Sequence, residues 1–189
     1  GKGRHSIYLN QLGFTVLGAD LSENSIAEAN KNANETLHFK VHDMREPFEE
    51  KFDAIFNLFT SFGYFEDEAD NLKTLIAIKD SLSETGFAVI DFMNVNQVIE
   101  TLVPEEVKTV DQIDFHIKRY VKEGHIYKEI SFQDQGQNYH FTEKVRAFSL
   151  QDFQELMDEA GIYLLDIFGD YKLKKFHKTD SERLIMIFK

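Results

Sequence analysis

A glycine pair and two acidic residues carry the clearest chemical signal in the chain. Gly1 and Gly3 lead straight into a helical stretch. Glycines at such a bend let the backbone approach a ligand where side chains would collide, and the first N–H groups of the helix lack intrahelical partners. Asp20 closes the next apolar stretch, FTVLGADL, 17 residues after Gly3. An acid at that place accepts hydrogen bonds from both hydroxyls of a ribose. It could also cap a helix, but Ser22 is the better-placed cap. Asp43 follows the third apolar element, where a carboxylate can accept from an adenine amino group while the Met44 N–H meets a ring nitrogen. A plain turn aspartate is the alternative there. Together the two acids sit at successive strand ends, where open α/β sheets bind ligands.

The elements that hold these residues follow from pattern. Arg4 to Leu12 reads as a helix stopped by Gly13, and Phe14 to Leu21 as a short buried strand. A helix capped by Ser22 follows, with Ile26, Ala29 and Ala33 on one face. Leu37 to Val41 is a strand, and Phe52 to Phe59 is apolar enough for a parallel strand covered on both faces. A helix runs from about Glu66 to Ser83, its acidic first turn suiting the positive end of the dipole, and Gly86 to Phe92 is another buried strand. From Glu106 to Phe148 short alternating stretches, separated by turns at Glu123-Gly124 and Asp134-Gln-Gly136, predict an antiparallel meander of three or four strands. Ser149 is an N-cap with Asp152 at N3 and Phe148 placed to staple onto Phe153. Phe153, Leu156, Met157 and Ala160 make the helical stripe, and Gly161 ends it. Two closing strands, Ile162 to Phe168 and Leu184 to Phe188, are expected to pair antiparallel. The domain plan is thus an α/β body over 1–105 and 149–189 with an inserted β cap over 106–148. The chain opens on its glycine pair with no strand before it, so a further N-terminal strand is expected in a longer parent.

Composition narrows the classes. With 21 basic against 33 acidic residues the net charge is −12, which disfavours a general nucleic-acid binder. The basic run Lys172 to Lys178 is either a solvated loop or a local patch for an anionic substrate. No apolar run approaches the ~20 residues of a membrane span. The chain has no Cys, so disulfides and thiolate metal sites do not arise; a cytoplasmic setting is expected.

The stretches GKGRHSIYL (1–9), VLGADLSENSI (16–26), HDMREPF (42–48), FDAIFNLFTSFGYF (52–65) and FGDYKL (168–173) resemble class I S-adenosylmethionine-dependent methyltransferases, most of all a bacterial small-molecule branch. The resemblance implies a Rossmann-like seven-stranded sheet of order 3-2-1-4-5-7-6, its seventh strand antiparallel and its first absent from this chain. It implies S-adenosyl-L-methionine as cofactor, with Gly1 and Gly3 along the methionine part, Asp20 on the ribose and Leu21 packed on the adenine. Asp43 and Met44 would read the adenine edge, and Asn57 and Leu58 would line the methionine moiety and the mouth of the substrate pocket. A meander at this position has a counterpart in sugar N-methyltransferases, where it caps the active site. Substrate contacts are then expected among Thr60, Ser61, Tyr64 and Asn94, and among His116, Arg119, Tyr127 and His140 on the meander, although each also reads as a structural or solvent-facing residue.

The implied activity is methyl transfer to a nitrogen or oxygen of a small-molecule acceptor, with no metal and neither nucleic acid nor membrane as partner. Two other readings compete. An NAD(P)-binding oxidoreductase would share Gly1, Gly3 and Asp20, but its fingerprint wants a third glycine where this chain has Ser6. A methyltransferase-fold module that has lost catalysis is the second.

Overall fold

The structure, a computed structural model, describes residues 1–189. The chain order is α1 (Arg4–Gln11), β1 (Val16–Asp20), α2 (Glu23–Ala29), β2 (Leu37–Val41), β3 (Phe52–Asn57), α3 (Glu68–Ser81), β4 (Leu82–Met93), α4 (Val95–Glu100), β5 (Glu105–Val110), β6 (Ile113–Lys122), β7 (His125–Asp134), β8 (Gln137–Arg146), α5 (Leu150–Ala160), β9 (Leu164–Phe168) and β10 (Arg183–Phe188). No helix is long and apolar enough to cross a membrane.

The body holds two hydrogen-bonded sheets. β1 and β2 pair in parallel, with Asp20 opposite Val41. β3, β4, β10 and β9 form the second in that order, with β3 parallel to β4 and β10 antiparallel to both its neighbours. The pair β1-β2 and the run β3-β4-β10-β9 are compatible with the 3-2 and 4-5-7-6 parts of the expected order. The chemistry of the residues explains these elements. Ser22 accepts from the Ser25 N–H at the start of α2, and Asp67 accepts from the Ala69 N–H at the start of α3. Ser149 and Asp152 form a reciprocal capping box on α5, Phe148 lies 5.2 Å from Phe153, and Gly161 closes the helix at φ 65°.

Four of the expected boundaries shift. Phe56 in β3 is 46% exposed, so this strand is paired on the β4 side but not covered on both faces. The α2 helix gives way to a single 3-10 turn after Ala29, which leaves Ala33 outside it. β4 begins at Leu82 and takes in Gly86 at a register shift, where a Cβ would sit 2.7 Å from the Phe52 carbonyl oxygen. The short helix α4 was not anticipated; its cap, Asn94, makes no side-chain capping bond, so no local signal announces it.

The core joins α3 and α5 to the β4–β10 face. Phe153 and Phe62 are fully buried and their rings lie 5.4 Å apart, while Phe92 meets Phe153 edge-on at 5.2 Å. Ile126 and Val145 of the β5–β6–β7–β8 meander reach the same core. That end of the meander is also tied by backbone bonds from Arg146 N–H to the Gly63 carbonyl (2.8 Å) and from Ala147 N–H to the Gly124 carbonyl (2.9 Å). The sheet is therefore anchored at one end, next to the loop that follows β3. Because Phe153 touches three other core rings, Phe153→Ala should destabilise the fold by about 3–5 kcal/mol, read as a lower urea midpoint with an unchanged slope.

Candidate functional site

The site begins at the bend before α1. Gly3 is the N-cap at φ 83°, a conformation L side chains rarely take, and a Cβ there would lie 2.7 Å from the Phe39 ring. A Cβ on Gly18 of β1 would meet the same ring at 2.6 Å and the Ser6 hydroxyl at 2.8 Å. The close helix–strand approach that a third glycine secures in the dinucleotide fingerprint is thus provided from the strand side, by Gly18 opposite Ser6.

Asp20 stands at the tip of β1 and faces this bend. Its Oδ2 accepts from the Gly1 nitrogen and its Oδ1 from the Ser22 N–H at 2.8 Å. Partial burial works to raise the Asp20 carboxyl, while the Gly1 amino group and the Ser22 N–H lower it. The His42 N–H donates to the Asp20 carbonyl at 3.1 Å, which holds the two strand tips side by side. Leu21, immediately beyond, is 69% exposed.

Asp43, at the neighbouring tip, is engaged by Arg45. Nε lies 3.0 and 3.1 Å from the two carboxylate oxygens, Nη2 lies 2.6 Å from Oδ2, and the Arg45 N–H donates to Oδ1 at 3.0 Å. Arg45 Nη1 reaches on to Asp70 at 2.6 Å, and its guanidinium lies over the Phe65 ring. Much of the accepting capacity of Asp43 is consumed by this fork. The Met44 N–H donates to no group of the chain and remains available to a ligand edge. The Met44 sulfur accepts a long contact from the Asn57 amide at 3.9 Å, which links the tips of β2 and β3.

After β3 the chain makes an unusual turn. Phe59 and Thr60 both have positive φ, 60° and 58°, a state costing roughly 1–2 kcal/mol for each such residue. Asp91, 1% exposed in β4, holds both: its Oδ2 accepts from the Phe59 N–H at 2.8 Å and its carbonyl from the Thr60 N–H at 2.9 Å. Arg183 Nε donates to Asp91 Oδ1 at 2.7 Å, Arg183 Nη2 donates to the Thr60 hydroxyl at 3.0 Å, and the Tyr171 hydroxyl donates to Asp91 Oδ2 at 3.0 Å. The Phe59 ring stacks on His5 of α1 at 4.8 Å, which brings the turn against the glycine bend. Ser61 closes the loop by donating to Leu58 and Asn57 oxygens, each at 3.0 Å.

These contacts gather Gly1, Gly3, Asp20, Met44, Asn57, Leu58 and Ser61 along the carboxyl ends of β1, β2 and β3. The other expected substrate contacts are distributed differently. Thr60 is buried and bonded to Arg183. The Asn94 amide donates to the Lys178 and Ser181 carbonyls at 2.9 and 2.8 Å, so it ties the basic loop to β4 and is spent on structure. Tyr64 is half-exposed and shares a cleft of about 300 Å³ with Phe65, Glu66 and the meander residues His125, Thr142, Glu143 and Lys144. Burial, with Glu143 nearby, pushes its hydroxyl up, so it stays protonated at neutral pH. On the meander, Arg119 pairs with Glu106 at 2.6 Å, and Tyr127 stacks on Tyr120 at 4.9 Å. His116 and His140 both lie opposite Ser131. They line a second groove, about 17 Å along the strand from the anchored end near Val145. Pattern reading missed Gly18, Arg45, Asp91 and Arg183. The one signal for the last two was a charge set in or beside an apolar strand, in GFAVIDF and RLIMIF.

A Rossmann-like body thus carries a glycine bend, an acid at the first strand tip and an unpartnered amide beyond the second. A methyltransferase-domain family model matches residues 1–86. The glycine/sarcosine N-methyltransferase of Aphanothece halophytica is 27% identical over 200 residues, covering 100% of this chain and 73% of its own length. That of Parasynechococcus marenigrum is 30% identical over 192 residues, covering 95% of this chain and 66% of its own. The CcbJ methyltransferase structure from Streptomyces caelestis superposes with a TM-score of 0.84 at 14% identity, covering 100% of this chain and 80% of that one. These matches support a class I S-adenosylmethionine-dependent methyltransferase with S-adenosyl-L-methionine as cofactor. The oxidoreductase reading falls with this.

The Arg45 fork, with the Arg45 N–H beside it, holds the Asp43 carboxyl at about 2, below its ordinary 3.8. In the unfolded chain the group returns to its ordinary value. The stabilisation is therefore complete above about pH 4 and is lost as the pH falls through about 2. Urea melts should show the stability gap between wild type and Asp43→Asn narrowing across that window; a gap that is constant with pH contradicts the pairing.

Proposed function

We propose that this chain holds S-adenosylmethionine across the tips of β1, β2 and β3 and methylates a nitrogen of a small acceptor, an oxygen being the second choice. The observation that carries the reading is the Asp20 carboxylate bonded to Gly1, at a strand tip joined to His42, two residues before Met44 and its unpartnered N–H. Asp20, ionised and still accessible, suits a ribose diol. Met44 N–H suits an adenine ring nitrogen, with Asp43 held rigid by Arg45 beside it. Leu21, exposed at the same edge, gains cover from a bound adenine. Gly1, Gly3, Asn57 and Leu58 then flank the methionine end. Both curated relatives described above are named for N-methylation of glycine and sarcosine, which favours a small amine.

When bound, the cofactor supplies an activated methyl group open to in-line displacement. The protein's part is to orient the acceptor and exclude water, and correct placement alone contributes about 7–11 kcal/mol of a barrier in favourable cases. The β5–β8 sheet is read as the cap on the acceptor side, with Tyr64 at its edge. A protonated Tyr64 can donate to an acceptor oxygen or carboxylate and does not act as a base. An amine acceptor must arrive with its lone pair free, so the rate should rise with pH toward the amine's own pKa.

Isothermal titration with S-adenosylhomocysteine should show saturable binding, weakened by about tenfold or more in Asp20→Ala because a charged hydrogen-bond acceptor is lost. Absence of heat, or equal affinity in the variant, removes the reading. A homocysteine-release screen of glycine, sarcosine, amino sugars and alcohols should give turnover with an amine; turnover with alcohols alone would move the acceptor atom to oxygen.

A further inference from the structure

We propose that Asp91 and Arg183 are positioning residues for the methionine-end subsite, acting through the Phe59–Thr60 turn. This rests on the reading that Asn57 and Leu58 flank that end of the cofactor. Almost fully buried Asp91 receives two successive amide N–H groups, that of Phe59 on its carboxylate and that of Thr60 on its main-chain carbonyl. Neither amide belongs to a helix or strand. Arg183 crosses from β10 to neutralise Asp91 and also grips the Thr60 hydroxyl. Its position on β10, opposite Met93, fixes the reach of the guanidinium.

The result is a turn whose shape is dictated from behind. Two non-glycine residues stay at positive φ where the buried pair grips both: the Asp91 carboxylate accepts from the Phe59 N–H, and Arg183 donates to the Thr60 hydroxyl. With the turn so shaped, Phe59 lies between the His5 ring and Tyr171, and Arg4 lies 5.4 Å over its face. The turn is thereby brought against the first residues of α1, directly after the Gly3 bend. Relaxation of the pair would let Phe59 and Thr60 return to ordinary backbone angles and draw Leu58 away from the bend. The strand tips carrying Asp20 and Met44 meet this region only through the long Met44 sulfur–Asn57 contact, so the nucleoside half would change little. Asp91 and Arg183 therefore act on one half of the cofactor site only.

The test compares two ligands by titration: S-adenosylhomocysteine, and 5′-methylthioadenosine, which keeps the nucleoside but lacks the amino-acid tail. Asp91→Asn should weaken S-adenosylhomocysteine by about tenfold, the usual value of a charged hydrogen bond, and leave methylthioadenosine within about twofold. Tyr171→Phe removes one hydroxyl from an exposed side chain and so tests the same pair without threatening the fold. It should shift the same ligand selectively, by about threefold. Equal weakening of both ligands, or of neither, in the Asp91 and Tyr171 variants overturns this inference while leaving the proposed function in place. Wild-type protein that binds neither ligand overturns both.

Discussion

The parallel register of β1 against β2 is the constraint on which the site depends. With Asp20 opposite Val41 and the His42 N–H bonded to the Asp20 carbonyl, the two strands end at one level, and Met44 follows two residues beyond that bond. A one-residue slip would turn Asp20 to the opposite face of the sheet and leave the glycine bend facing an apolar side chain. The register is held from below by the Phe39 ring, which fills the space left by Gly3 and Gly18. Packing of one aromatic ring against two glycines thus fixes where a carboxylate points.

A second sheet, β3-β4-β10-β9, carries the turn after β3, and the means of holding it differ. Where β1 and β2 rely on register and small residues, the turn after β3 relies on a buried ion pair. Such a pair contributes little net stability, because desolvation offsets the Coulomb gain, yet it is intolerant of misplacement. That trade suits a turn whose conformation matters more than its energy. Arg45 plays a comparable part at the surface, where one guanidinium joins the tip of β2 to α3 through Asp43 and Asp70.

Much of this was legible in the residues, for a definite physical reason. The capping box at Ser149, the Phe148–Phe153 staple, the αL glycine at 161 and the antiparallel closing pair are all local features, in which neighbours in sequence meet in space. The meander announced itself by its turns and became four strands. What stayed hidden is non-local. Asp91 meets Arg183 from 92 positions away, and no pattern within a strand foretells which charge will cross to it. The exposure of Phe56 depends on which element lies beside β3, a fact of arrangement and not of composition. Asn94 looked like a substrate contact because polar residues at strand ends often are; its amide instead closes the return of the basic loop.

The central claim is that Asp20 at the tip of β1 receives the ribose of the cofactor while Met44 N–H receives the adenine. A crystal structure with S-adenosylhomocysteine bound tests it most directly. The account predicts both ribose hydroxyls within hydrogen-bond distance of the Asp20 carboxylate, about 2.5–3.0 Å, and an adenine nitrogen on the Met44 amide. A ligand seated elsewhere, with Asp20 turned to solvent, would contradict it.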